Sequence, residues 1–155
     1  MSNFIQTGLP DTFPVRIFET GVNAVSAGTP GGGWVSGNPA SLAASASVTC
    51  IFDLGQDWHQ FVAVAIGILS SGTSTGFNAV RVSSSDTSTI NPARRLKDIS
   101  QAGINPLNAT VTTSEGAHQV NVRPVGRYLF VALTNADATN AQDANARVTI
   151  AAYPS

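Results

Sequence analysis

The sequence has few charged residues, and this scarcity excludes several kinds of partner. Of its 155 residues 11% are charged, and the net charge is -1, whereas about 25% of the residues in a typical soluble domain are charged. A nucleic-acid-binding protein needs a basic face that neutralises phosphates, and a protein held at a membrane surface by charge needs clustered Lys and Arg. We therefore expect neither nucleic acid nor membrane as a partner.

Cysteine and long apolar runs are scarce as well. Cys50 is the only cysteine, so neither an intrachain disulfide nor a multi-thiolate metal site is possible. The longest apolar run, residues 61–69, is far shorter than the ~20 residues that a membrane-spanning helix needs. The first five residues have neither the basic nor the apolar region of a signal peptide, so we expect none, and the single cysteine leaves the compartment reducing or undetermined.

The sequence does contain a series of short strand-like runs. Residues 47–53 alternate apolar and polar side chains as a half-buried strand does, and residues 61–69 are apolar on both faces like a central strand. Runs of these kinds, joined by Gly-, Ser- and Asn-rich segments, predict an all-β fold: an antiparallel β-sandwich or jelly roll of about eight strands. The runs are residues 15–19, 47–53, 61–69, 79–83, 118–123, 127–133 and 147–153, with a weaker one around Val111.

The remaining segments define the domain organisation. We predict an extended N-terminal arm over residues 1–14 and one β-sandwich domain over residues 15–155. Long connections are expected at residues 21–46 and 84–101, with single helical turns at residues 42–46 and 92–99.

Nucleophiles and bases are present, but their arrangement is not that of a catalytic site. Cys50 lies on the apolar face of a strand-like run, as a packing cysteine does. Ser74 is the centre of a Gly-x-Ser-x-Gly pattern, but a nucleophile elbow needs a helix after the turn, and strand-like residues follow here. We predict no catalytic residue and no enzyme activity; a hydrolase that uses Ser74 with His59 or His118 as base is the least favoured alternative.

No metal or cofactor is expected. The sequence contains neither His-x-x-x-His nor Cys-x-x-Cys. Asp137 and Asp143 lie in one loop, but a calcium loop needs more carboxylates at set spacing. The glycine run at 31–33 lacks the Gly-Lys-Ser/Thr ending of a phosphate-binding loop.

The N-terminal arm is the first candidate for binding a partner. It contains Phe4, Ile5, Leu9 and Phe13 and few charges, so it can add a strand to a neighbour or lie in a groove. We expect its deletion to abolish assembly without abolishing folding.

Two further groups of residues are candidates. Arg94, Arg95 and Lys97 form the only basic cluster in a charge-poor chain and are expected to contact a partner. Trp34 and Trp58 form a possible ligand loop, because indole rings stack on sugars; the alternative for an aromatic residue at a strand end is to cap the core.

Several short motifs together resemble the galactose-binding-like jelly roll of discoidin and coagulation-factor C domains. They are Asp-Leu-Gly at 53–55 with Trp58 after it, the apolar residues 62–66, Ser-Ser-Asp at 84–86, and Gly-Arg-Tyr at 126–128. The resemblance covers about residues 47–133 and implies the jelly-roll fold. The terminal disulfide usual in that family cannot form with one cysteine.

The whole chain also resembles small virion proteins of tailed bacteriophages, which are short, charge-poor and rich in Ala, Gly, Ser, Thr and Asn. Head decoration (cement) proteins are the nearest role. The resemblance implies a non-enzymatic capsid decoration protein on the virion surface, made in the host cytoplasm, whose partners are the major capsid protein or other virion proteins. It further implies a homo-oligomer, with a trimer favoured. The alternative is a carbohydrate-binding discoidin-like module of a tail or head fibre.

Overall fold

The computed structural model describes residues 15–20, 35–71, 73–89, 94–98, 118–143 and 145–154, which form mainly β-strands. These residues contain nine strands and two short 3-10 turns, at Pro39–Ser41 and Trp58–Gln60. No helix among them is long and apolar enough to cross a membrane. The strands are β1 (Arg16–Glu19), β2 (Val35–Ser36), β3 (Ser47–Asp53), β4 (Phe61–Leu69), β5 (Phe77–Ser85), β6 (Arg94–Asp98), β7 (His118–Val122), β8 (Tyr128–Asn135) and β9 (Arg147–Pro154).

The strands pair into two antiparallel sheets, which confirms the predicted all-β sandwich. The first sheet has the order β1-β9-β4-β7, and the second has the order β2-β3-β8-β5-β6. Within the second sheet β3, β8 and β5 form the body, and β2 and β6 are its edges. Without the two-residue strand β2, the two orders are those of an eight-stranded jelly roll.

One hydrophobic core lies between the sheets. Val64, Ile66 and Ile68 of β4 point into it from the first sheet, and Leu129 and Val131 of β8 point into it from the second. Each is fully buried, and burial of such a side chain contributes about 1.5–3 kcal/mol. Phenylalanines close the core near the strand ends: Phe52, Phe61 and Phe77.

Two local predictions were wrong. The helical turn expected at residues 92–99 is replaced by β6, whose residue 94 pairs with Ser84 and whose residue 98 pairs with Arg81 of β5. Pairing with the open edge of β5 outweighs the local helical tendency, and a charge-rich sequence is typical of an edge strand.

The helical turn expected at residues 42–46 is also absent, and a 3-10 turn forms earlier, at Pro39–Ser41. Asn38 fixes its start, because the Asn38 side-chain oxygen accepts a hydrogen bond from Ala40 N at 3.0 Å and proline suits the first position of a helical turn. The weak strand predicted around Val111 lies outside the described residues.

Candidate interaction surface

The motifs of the discoidin resemblance meet at one end of the second sheet. Asp53, the last residue of β3, accepts two hydrogen bonds from the Arg127 guanidinium, both at 2.7 Å. Asp53 Oδ1 also accepts a hydrogen bond from Gly55 N at 2.8 Å. Gly55 has a φ of 89°, a conformation that glycine adopts without strain. A bidentate ion pair therefore joins the Asp-Leu-Gly turn to the Gly-Arg-Tyr strand.

The Ser-Ser-Asp motif belongs to the same unit. Ser84 Oγ donates a hydrogen bond to Gly126 O at 3.2 Å. A Cβ atom at residue 126 would lie 2.5 Å from the carbonyl carbon of Ser85, so only glycine permits this approach of the two chains. The three motifs thus hold β3, β5 and β8 together, and the charges of Asp53 and Arg127 are used in doing so.

Trp58 lies beside a second ion pair. Arg16 donates to both carboxylate oxygens of Asp57, at 3.0 and 2.6 Å, and its guanidinium lies 5.4 Å from the centre of the Phe61 ring. Trp58 is partly buried against the core cluster and meets the exposed His59 ring edge to face at 6.1 Å. This packing is the one expected of a tryptophan that caps the core.

Ser74 is buried in a network of loop side chains at the other end of β4. Its Oγ donates to Asn135 Oδ1 at 2.8 Å and accepts from Gln142 Nε2 at 2.6 Å. His59 precedes β4 and Ser74 follows it, and a nine-residue strand is about 30 Å long. His59 therefore cannot act as the base for Ser74. His118 begins β7, where its backbone pairs with Ile68.

Asp137 anchors the loop that the sequence offered as a weak calcium candidate. Its carboxylate accepts hydrogen bonds from the backbone N–H groups of Asn140 and Thr139, each at 2.8 Å, and of Thr75 at 3.0 Å. These bonds, with that of Asn140 the strongest, lower the pKa of Asp137 to about 2. Within the described part of the chain, no group of three or more His, Cys, Asp and Glu side chains could hold a metal ion.

Cys50 is a packing residue, as predicted. It is fully buried in the core cluster, and burial raises the pKa of its thiol to about 12. A thiol that stays protonated at neutral pH is a poor nucleophile and a poor metal ligand.

The outer face of the first sheet exposes large apolar side chains together. Val15, Ile17, Val62 and Tyr153 are 46%, 65%, 47% and 43% exposed. They lie at one end of the sheet, because β1 and β4 begin where β9 ends: Ile17 pairs with Ala151, and Ala63 pairs with Tyr153. Among the residues whose side-chain burial the structure describes, no other large hydrophobic residue is exposed to this degree.

Between these side chains, the two central strands carry small residues on the same face. Ala151 of β9 pairs with Ala65 of β4, and Thr149 pairs with Gly67; residues that pair across strands lie on one face of a sheet. The result is a shallow trough two strands, or about 10 Å, wide, with Ile17 of β1 on one rim and Asn121 of β7 on the other. We call this trough and its rim the apolar face; its residues are Val15, Ile17, Val62, Ala63, Ala65, Gly67, Asn121, Thr149, Ala151 and Tyr153.

The outer face of the second sheet is different in character. A shallow groove of about 200 Å³ lies there, lined by residues that include Ser47, Thr49, Arg81 and Thr134. The hydroxyl groups of Ser47 and Thr134 are hydrogen-bonded at 2.7 Å. The lining of this groove includes hydroxyl and guanidinium groups, whereas the apolar face consists mainly of hydrocarbon side chains.

None of the predicted binding residues that the structure describes belongs to the apolar face. Residues 94, 95 and 97 lie on β6, at the edge of the second sheet, and the described residues do not include the arm with Phe4, Ile5, Leu9 and Phe13, nor Trp34. The apolar face was not predicted from the sequence. The sequence signal for this face is the pair of apolar residues on either side of Arg16, Val15 and Ile17, which lie on the same outer side of β1.

Comparison with known proteins gave no match to a family model, to a curated protein or to a solved structure.

Proposed function

We propose that this protein is a non-enzymatic structural component of a phage particle: a capsid decoration (cement) protein that binds neighbouring capsid subunits on the virion surface and stabilises them. The observation that carries the proposal is the apolar face. Large exposed apolar patches on soluble proteins mark sites of interaction. Here the patch lies on a molecule with a net charge of only -1, and a surface with little net charge promotes association.

The size of the face favours a role within a repeating assembly. About a third of Ile17 and about half of each of the other three large side chains are already covered, so burial of the remainder contributes on the order of 1 kcal/mol for each. One such contact is weak. A lattice that presents many equivalent sites turns weak contacts into tight attachment through effective concentration.

The reactive groups of the described segments support a structural role in a different way. Ser74 is hydrogen-bonded within a buried network, Cys50 is enclosed in the core, and Asp137 anchors a loop. Asp53 is paired with Arg127. Each has a partner that accounts for its position in the fold.

The test uses the phage genome that carries the gene. We expect purified particles to contain the protein in a fixed ratio to the capsid protein, and particles made without the gene to release DNA at a lower temperature. Added wild-type protein should restore heat stability, and so should the control Ser88→Asp, which puts the same charge at an exposed loop position outside the apolar face. Ile17→Asp should not. Absence from purified particles, or heat stability that is unchanged without the gene, would contradict the proposal.

The alternative is a carbohydrate-binding discoidin-like module that contacts a host glycan or receptor. Two observations favour it: the three motifs of the resemblance form one unit around Asp53 and Arg127, and the groove beside Arg81 offers hydroxyl and guanidinium groups. A glycan array with the purified protein tests it. Hits that disappear in Arg81→Ala would support the alternative, and an array without hits would count against it.

A further inference from the structure

We infer that the apolar face binds the N-terminal segment, residues 1–14, of a second copy of this chain. The inference rests on the proposed function in one respect, that the chain acts by assembling, and it goes further by naming the occupant of the face. It assigns the face to contacts between copies, so that attachment to the capsid depends on the face through the oligomer that these contacts build, and other surfaces of that oligomer touch the capsid.

Size complementarity is the first argument. The floor of the trough is made of Ala, Gly and Thr side chains on β4 and β9, so a partner with bulky side chains can approach the sheet closely. The N-terminal segment supplies such side chains in Phe4, Ile5, Leu9 and Phe13. Its single charged side chain, Asp11, leaves little charge to desolvate on an apolar surface.

The second argument is where the N-terminal segment is attached and how far it can extend. The segment joins the described chain at Val15, which is itself a member of the apolar face. Fourteen residues in extended form reach about 46 Å, whereas β9, with eight residues, is only about 27 Å long. A segment from one copy can therefore run the whole length of the trough on a neighbour.

The area of the face argues against simple packing of one sheet on another. The four strands have four, eight, nine and five residues. At about 3.4 Å per residue and about 4.8 Å between strands they present about 400 Å², less than the ~800 Å² that each partner buries in a stable interface. An added segment with four large apolar residues supplies the missing area. Pro14 favours an extended conformation at the residue before it, as a segment that lies along a trough requires.

Such a contact joins two different surfaces and is heterologous. It closes as a reciprocal exchange between two copies or as a ring of three or more. Both forms leave the second sheet, with its groove and β6, on the outside of the oligomer.

The experiment is a complementation test by sedimentation velocity on full-length chains. One variant damages the face, Ile17→Asp; another damages the segment, with Ser in place of Phe4, Ile5, Leu9 and Phe13. Ser88→Asp, at an exposed loop position, is the control for added charge, and thermal unfolding verifies that each variant folds. Ile17 is 65% exposed, so its replacement leaves the core intact.

We expect the wild-type chain and the control to sediment as oligomers. Each damaged variant alone should associate at least tenfold more weakly, and an equimolar mixture should recover an oligomer, because one variant retains an intact face and the other an intact segment. Three outcomes would overturn the inference: a wild-type monomer, a segment variant that associates like wild type, or a mixture no stronger than its components. A monomer that still binds particles would leave the proposed function standing without this inference.

Discussion

At the scale of single residues, Asp53 joins parts of the fold that lie far apart in the sequence, and its Asp-Leu-Gly motif alone does not reveal this. Its carboxylate accepts hydrogen bonds from two nitrogens of the Arg127 guanidinium and from the backbone N–H group of Gly55. Arg127, its partner, lies 74 residues further along the chain. The pair therefore closes a long loop with charge-assisted hydrogen bonds, which are stronger than neutral ones.

We expect Asp53→Asn to lower the free energy of unfolding by about 2 kcal/mol, because it leaves a largely buried donor pair without its carboxylate. This is less than for a fully buried pair, since the Arg127 side chain is 30% exposed. The measurement is urea unfolding. The control is Glu19→Gln, which breaks the more exposed pair with Arg147 and should cost less than about 1 kcal/mol. Equal losses in the two variants would contradict the assigned role of Asp53.

Asp137 makes the free energy of unfolding depend on pH in the acid range. Its pKa is lowered from 3.8 to about 2 in the folded chain, first by the backbone hydrogen bond of Asn140. A carboxyl with a lowered folded pKa contributes stability above its unfolded pKa and loses that contribution as the pH falls through the folded value. We expect the unfolding temperature to fall between about pH 4 and pH 2, and to fall less in Asp137→Asn. The same slope in both proteins would contradict this assignment.

Residue roles were predictable from the sequence where they depend on alternation alone. Cys50 was assigned to the core because its neighbours at even spacing are apolar, and it lies there. The partners of Ser74 were not predictable, because Asn135 is 61 residues away and Gln142 is 68 residues away. Hydrogen bonds between distant loops leave no periodic trace in a sequence.

At the scale of elements, three loops are joined by one residue, Gln142, through its side chain and its backbone. Gln142 Oε1 accepts hydrogen bonds from Ser70 Oγ at 3.1 Å and from Ser71 N at 3.0 Å. Its Nε2 donates to Ser74 Oγ, and its backbone N–H donates to Leu42 O at 3.0 Å. The loops before β3, after β4 and after β8 are thus fixed relative to one another.

We expect Gln142→Ala to lower the free energy of unfolding by about 2 kcal/mol, because it leaves buried hydroxyl and amide groups without partners. Hydrogen exchange should accelerate in residues 70–76 and 135–142 while the β3 and β8 amides stay protected. Gln56→Ala, at an exposed turn position, is the matched control. Uniform acceleration over all strands, or none, would contradict the role of Gln142 as a local clamp.

The strands differ in how far their sequences predict them. β3 and β4 begin and end where the apolar patterns do, because alternation and a continuous apolar run are direct signals of half-buried and central strands. β2 and β6 were missed. β2 has two residues, too few to show an alternating pattern. β6 has a charged sequence without a strand pattern, and it forms a strand because it pairs with the open edge of β5.

At the scale of the whole molecule, the alternation that defines the core also conceals the apolar face. In β9, Val148, Ile150 and Ala152 point inward, and the opposite side includes Ala151 and Tyr153. A sequence shows two apolar sides there without telling which one is covered. Only the placement of β1 and β4 beside β9 brings Ile17, Val62 and Tyr153 onto one surface.

The central structural claim is that copies of this chain associate with one another through the apolar face, and sedimentation equilibrium of the purified wild-type protein tests it most directly. One chain has a mass of 16.0 kDa. We expect a mass of two or more chains that persists on dilution into the low micromolar range, and three chains if the ring closes as a trimer. A mass of 16.0 kDa at every concentration measured would contradict the claim.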